Sequence, residues 1–217
     1  MADEKFYETI EGSRIVHEDC WPSDLKSYLK LEEMFIREKV SKDSTVLDIG
    51  FGEGRYLNLL SKSCKKIIGV DYSEIMFDFC KRLFDDKNIE LFKADIKDFE
   101  YLEESFDYII CAFNTFGNMS YETQISLLKK VEKFLKPNGT FFLSIYSEYA
   151  KDMQFEFYKK IGLKIINSDQ NFVYTEEFKS ERFSQAKIYK IITQNTKLKV
   201  INISMLNPVS YILEIQK

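Results

Sequence analysis

Short apolar runs alternate along this chain with stretches of helical spacing. The runs at 46–49, 67–70, 90–95, 106–113 and 140–146 have the length and the β-branched or aromatic content of buried strands. Between them, apolar residues recur at intervals of three and four. The spacing predicts helices over 54–63, over 74–85 with Ile75, Met76, Phe79, Cys80 and Leu83 inward, and over 120–135 with Ile125, Leu128, Val131, Phe134 and Leu135 inward. Lys136-Pro137-Asn138-Gly139 is a breaker and turn before the run at 140–146. Strands alternating with helices in this way point to an α/β fold.

The flanks are less regular. Residues 1–23 hold the only histidine, His17, and the only tryptophan, Trp21. Ser23-Asp24 opens a helix with apolar positions Leu25, Tyr28, Leu29, Leu31, Met34, Phe35 and Ile36, which ends before a polar turn at 41–44. Beyond residue 147 a helix over 148–162 leads to runs at 163–167 and 172–176, paired across a polar turn. A helix over 184–194 then precedes two alternating runs, 198–204 and 209–215, separated by Asn207-Pro208.

The most informative stretch joins the first strand to its helix. Gly50, Gly52 and Gly54 alternate immediately after Asp48-Ile49. A strand, a glycine turn and a helix form the geometry in which backbone passes close to a nucleotide-like ligand. The dinucleotide fingerprint requires its third glycine at position 55, where Arg55 stands, and a phosphate-binding loop would end in Lys-Ser or Lys-Thr. An acid about 20 residues beyond the glycines suits a ribose hydroxyl, and Asp71 holds that place. Its ordinary alternative is a helix cap, a role that Ser73 also fills.

The pattern D-x-G-x-G-x-G from Asp48 to Gly54 resembles the first motif of class I S-adenosylmethionine-dependent methyltransferases. The resemblance runs over about 44–146 and includes the Leu-Lys-Pro-Asn-Gly turn at 135–139. It implies a doubly wound, seven-stranded, mostly parallel sheet whose last strand is antiparallel. It also implies S-adenosylmethionine as cofactor, held by Asp48, Gly50, Phe51, Gly52, Gly54 and Arg55. A carboxylate such as Asp48 suits a donor that carries an ammonium beside a sulfonium. Asp71 would take both ribose hydroxyls, with Tyr72 packed on the sugar or base. Asp95 and the Ile96 N–H would meet adenine, whose exocyclic amine requires an acceptor. Phe113 and Asn114 would face the methionine end and the transferring methyl. Residues 1–43 then form a lid and helix, 44–146 the cofactor core, 147–183 an insertion capping the acceptor, and 184–217 the closing helix and strand pair. Tyr174, Glu181 and Arg182 are the insertion's polar candidates, although the last two read more simply as an exposed ion pair.

Composition narrows the reading. At 217 residues the chain suits one domain, and 45% apolar with 30% charged residues is ordinary for a globular protein. The net charge of −4 and the lack of a dense Lys/Arg block give no nucleic-acid footprint. Cys20, Cys64, Cys80 and Cys111 lack metal or redox spacing, which favours free thiols in a reducing cytoplasm and no metal site. No apolar run reaches the length of a membrane span, and the first residues lack a signal peptide's apolar core. The expectation is a cytoplasmic monomer or homodimer that methylates an oxygen, nitrogen or carbon of a small molecule by in-line displacement. His17, Tyr28, Asn114 and Tyr121 are the candidates for a base or orienting group. A nicotinamide-dinucleotide oxidoreductase and a non-catalytic donor-binding protein are the alternatives.

Overall fold

The computed structural model describes residues 18–217, so the expectation placed on His17 lies outside the described residues. After a single helical turn at Glu18–Cys20, the elements in chain order begin with α1 (Ser23–Arg37), β1 (Thr45–Ile49), α2 (Arg55–Leu60), β2 (Lys66–Asp71), α3 (Glu74–Leu83) and β3 (Ile89–Lys93). Next come β4 (Phe106–Cys111), a helical turn at Thr115–Asn118, α4 (Tyr121–Phe134) and β5 (Leu135–Tyr146). The insertion supplies α5 (Lys151–Lys160), β6 (Ile165–Ser168), β7 (Phe172–Thr175) and β8 (Lys179–Glu181), and α6 (Gln185–Asn195), β9 (Lys199–Asn207) and β10 (Ser210–Gln216) close the chain.

Seven strands form one sheet in the order β3-β2-β1-β4-β5-β10-β9. The first five are parallel, and β10 runs antiparallel to both of its neighbours, as the resemblance implies. Side chains alternate across the sheet with the period of two that a strand imposes. Leu47, Ile68, Phe141, Leu143 and Leu213 pack on one face with Leu128 and Val131 of α4 and Ile188 of α6. Val46, Ile67, Phe142 and Ile212 pack on the other with Ile36 of α1, Leu57 of α2 and Cys80 of α3. The three layers thus follow from apolar runs that are buried on both faces.

Several sequence expectations are corrected. In α3 only Met76 and Cys80 are buried; Ile75, Phe79 and Leu83 are exposed, because the helix rests on the β2–β3 margin of the sheet, where only one narrow stripe finds support. The expected turn at 136–139 is a bulge within β5: Leu135 pairs with Phe106 and Thr140 with Tyr108, and Asn138 takes φ +64° to absorb the extra residues. The insertion has a third strand, β8, antiparallel to β7, which the sequence pattern did not separate.

Glu181 and Arg182 are not an exposed pair. Both are buried and they point apart. Glu181 accepts from Gln124 Nε2 of α4 at 2.9 Å and pairs with Lys187 of α6 at 2.5 Å. Arg182 donates to Gln154 Oε1 at 2.7 Å and to the carbonyls of Asp169 and Phe172 at 2.5 and 3.1 Å. One guanidinium therefore satisfies the β6–β7 turn from inside. Arg182→Leu should lower stability by about 2–4 kcal/mol through the acceptors it strands. This would read as a lower urea midpoint at unchanged slope, and an unmoved midpoint would remove Arg182 from the support of the insertion.

Candidate active site

The chain leaves β1 toward β2 and β3 on one side, then returns to β4 and β5 on the other. The crevice beyond the carboxyl ends of β1 and β4 is therefore a topological switch point, where open α/β sheets take their ligands. A cavity of about 950 Å³ lies there. Every residue expected to contact the donor lines it except Asn114.

The glycine loop forms one wall. Gly50 and Gly54 take φ of +73° and +82°, which side-chain-bearing residues avoid. A Cβ on Gly50 would lie 2.6 Å from Thr115 Cγ2, and one on Gly54 would lie 2.5 Å from the Phe84 ring. Asp71 fastens this loop to β2: one carboxylate oxygen accepts from the Gly52 N–H at 2.9 Å and the other from the Ser73 N–H at 2.9 Å. Ser73 caps α3 through Met76 N–H, so cap and loop anchor are divided between two neighbouring residues. At the end of β3, Asp95 accepts from the Lys97 N–H at 2.8 Å and pairs with its ammonium at 3.1 Å.

Asp48 differs from the other acids of the cavity. Its side chain is buried, and Oδ2 has no hydrogen-bond partner. Burial pushes its carboxyl up from 3.8 to about 7; Arg55 opposes this, and Asp71 and Glu32 add to it. A buried carboxylate without a partner is costly unless a cation or donor arrives. The amino-acid end of S-adenosylmethionine carries such a group, so this corner of the cavity fits that cofactor.

The pattern reading missed Glu32. It lies on the buried stripe of α1 with Leu25, Tyr28, Leu29 and Ile36. Its carboxylate is wholly buried and gathers four donors. One oxygen accepts from Arg55 Nη2 and from Tyr56 OH at 2.9 Å. The other accepts from the Phe113 N–H at 3.2 Å and from Ser144 Oγ. Because the Ser144 proton is committed to Glu32, Tyr28 OH is the donor in its bond to Ser144. An acid in register with an apolar stripe was the available signal.

Tyr28 is consequently corrected as a candidate base. It is fully buried behind the cavity wall, and burial together with Glu32 holds its phenol well above the usual range. Tyr121 is also corrected: it opens α4 with its side chain in solvent and outside the cavity lining. Asn114 is a bracket with no face on the cavity. Its amide donates to Ser180 Oγ at 3.1 Å and to the Glu181 carbonyl at 3.3 Å, and its oxygen accepts from the Tyr146 N–H at 2.9 Å. Phe113 and Asn114 have φ of +51° and +55°, two consecutive left-handed residues that these bonds hold in place. Among the described residues, none of 147–183 lines the cavity. The insertion instead buttresses the wall, with Phe157 stacked on Phe113 at 6.4 Å between ring centres, while Trp21 meets Phe113 edge-on at 5.6 Å. Tyr174 bonds Asp169 at the outer turn.

Comparison with known proteins agrees with this geometry. The family model described as "Methyltransferase domain" matches residues 46–139. The ribosomal RNA large subunit methyltransferase E of Methanococcoides burtonii is 30% identical over 173 residues, covering 71% of this chain and 58% of that protein. The chain spans about half the length of the curated relatives it matches, 40% of one and 58% of another. In fold it is similar to the PH0226 protein of Pyrococcus horikoshii, with a TM-score of 0.71, 18% identity and coverage of 91% and 93% of the two chains. It is also similar in fold to the 1,6-didemethyltoxoflavin-N1-methyltransferase of Burkholderia thailandensis, with a TM-score of 0.66, 12% identity and coverage of 88% and 78%. Among the described residues no helix is long and apolar enough to cross a membrane.

The Asp48 geometry has a consequence for stability. The folded state binds the Asp48 proton more tightly than the unfolded chain, so between about 4 and about 7 it holds more protons. Stability of the ligand-free protein therefore falls as pH rises through that window. Asp48→Asn should flatten this slope and raise the melting temperature above pH 7 by several degrees, at about 2–4 °C per kcal/mol. Parallel melting curves for the two proteins across pH would contradict the assignment.

Proposed function

We propose, for a chain that belongs to the class I S-adenosylmethionine-dependent methyltransferase superfamily, that it binds S-adenosylmethionine in the cavity at the ends of β1 to β4 and transfers the methyl group to a small molecule. The observation that carries this reading is the unpartnered Oδ2 of buried Asp48 beside the glycine loop. In this reading Asp48 takes the donor's ammonium. The left-handed glycines let backbone close on the methionine portion. Asp71, already anchored between loop and strand, meets the ribose hydroxyls. Asp95 and the Ile96 N–H meet the adenine edge.

When bound, the sulfonium supplies an electrophilic methyl group: the acceptor's lone pair forms the new bond to carbon, and the sulfur keeps the electrons of the bond that breaks. Such a transfer needs chiefly alignment and the exclusion of water. Phe113 and Trp21 provide an apolar wall for that purpose at the methionine end. A dedicated base is required only where the acceptor carries a proton that it must lose.

A concave cavity of about 950 Å³ and a net charge of −4 favour a small acceptor. The Burkholderia neighbour, described with bound 1,6-didemethyltoxoflavin and S-adenosylhomocysteine, accords with that choice. The Methanococcoides relative is named for ribosomal RNA and keeps an RNA acceptor as the second reading. Salt-dependent RNA binding would favour that alternative. Incubation with labelled donor and a metabolite extract identifies a small acceptor directly.

Calorimetric titration with S-adenosylmethionine should show one site, and NADH should not compete for it. Asp71→Ala should weaken donor binding tenfold or more, which corresponds to ~1.4 kcal/mol or more. Affinity should rise with pH through about 7 as Asp48 loses its proton, and Asp48→Asn should abolish that rise. Binding of NADH in place of the donor, or a pH-independent affinity in the unmodified protein, would overturn the reading.

A further inference from the structure

Asp48 is buried with Oδ2 unpartnered, although the wall it belongs to also carries a guanidinium. Arg55 lines the same cavity. A guanidinium and a lone carboxylate at such a site would ordinarily pair, because two parallel hydrogen bonds satisfy both. In this structure they do not: the ion pairs of Arg55 are to Glu32 and Glu33.

The arrangement around Glu32 explains the separation. Arg55 Nη2 is held by Glu32, and Nη1 reaches Glu33 at 3.2 Å and the Leu29 carbonyl at 3.5 Å, all on α1. The guanidinium carbon lies 4.6 Å from the centre of the Tyr56 ring, which adds a cation–π contact on the same side. Glu32 cannot swing to follow Arg55 elsewhere. Its second oxygen is tied to the Phe113 N–H and to Ser144, and Tyr28 completes the chain of donors behind it. Tyr56 OH fixes the first oxygen from a third direction.

We propose that Glu32 is a positioning residue that keeps the Arg55 guanidinium off Asp48, so that Asp48 stays open to the ammonium of the donor. The inference rests on the donor reading given above and assigns to α1 a role in the cofactor site. Arg55 lies next to the glycine loop and contributes through where its charge is kept. In Glu32→Gln the guanidinium loses its principal carboxylate and turns to Asp48, where it competes with any incoming cation.

The test uses the full chain and two probes that share the nucleoside. S-adenosylhomocysteine carries the ammonium and carboxylate, whereas methylthioadenosine lacks the amino-acid end. Glu32→Gln should weaken S-adenosylhomocysteine binding by about tenfold or more and leave methylthioadenosine within about twofold. The double variant Glu32→Gln/Arg55→Gln removes the competing cation with its partner and should restore S-adenosylhomocysteine affinity to within about threefold of the unmodified protein. Equal losses for both probes, or a double variant weaker than Glu32→Gln, would show that Glu32 only supports the fold and would overturn the proposal. Should Glu32→Gln fail to fold, the double variant decides alone: near-native affinity supports the proposal and lost affinity overturns it. An unmodified protein that binds neither probe would remove the donor reading itself, and this inference with it.

Discussion

A carboxylate taken out of water with one oxygen unanswered is the constraint on which the site depends. Asp48 stands on an inner strand of a sheet covered on both faces, where solvent cannot complete its hydrogen bonds. Its neighbours Leu47 and Ile49 belong to the core, so the strand fixes its position. The surroundings leave this charge unanswered at the cavity's edge: the loop beside it is closed by Asp71, and the Arg55 guanidinium is engaged by Glu32 and Glu33. The ligand-free protein thus carries an electrostatic debt that a cationic ligand relieves.

That debt is supported by a second buried carboxylate with the opposite character. Glu32 is saturated: its four donors come from α2, from the loop after β4 and from β5. Fully satisfied polar networks of this kind stiffen what they join. Here they join the helix ahead of the core to both walls of the crevice. The strained backbone at Phe113 and Asn114 is held by one hydrogen bond from this network and by the Asn114 bracket.

Much of this was legible from residue order alone, for identifiable reasons. The parallel strands read clearly because they are buried on both faces and therefore continuously apolar. The glycine loop read clearly because positive φ leaves few choices of residue. Asp71 and Asp95 read as residues of the crevice by their places at strand ends, and both line the cavity. What was not legible depends on tertiary partners. Arg182 is identical in sequence terms to a surface arginine, and only the inward carbonyls of the β6–β7 turn make it structural. Tyr28 and Asn114 have catalytic side-chain chemistry, yet packing turns both away from the cavity. Ile75, Phe79 and Leu83 keep helical spacing, but spacing does not report how wide a surface the sheet margin offers. Glu32 was hidden for the converse reason, as one of two adjacent glutamates on a charged helix.

The Asn114 bracket also has a bearing on how such a protein can diverge. Residues 147–183 touch the cavity only at second hand: Ser180 and Glu181 bond Asn114, Glu181 also bonds Gln124, and the Phe157 and Phe183 rings lie behind Phe113 and Phe116. Drift in the insertion can therefore retune that wall like an adjustable stop without replacing any residue that lines the cavity.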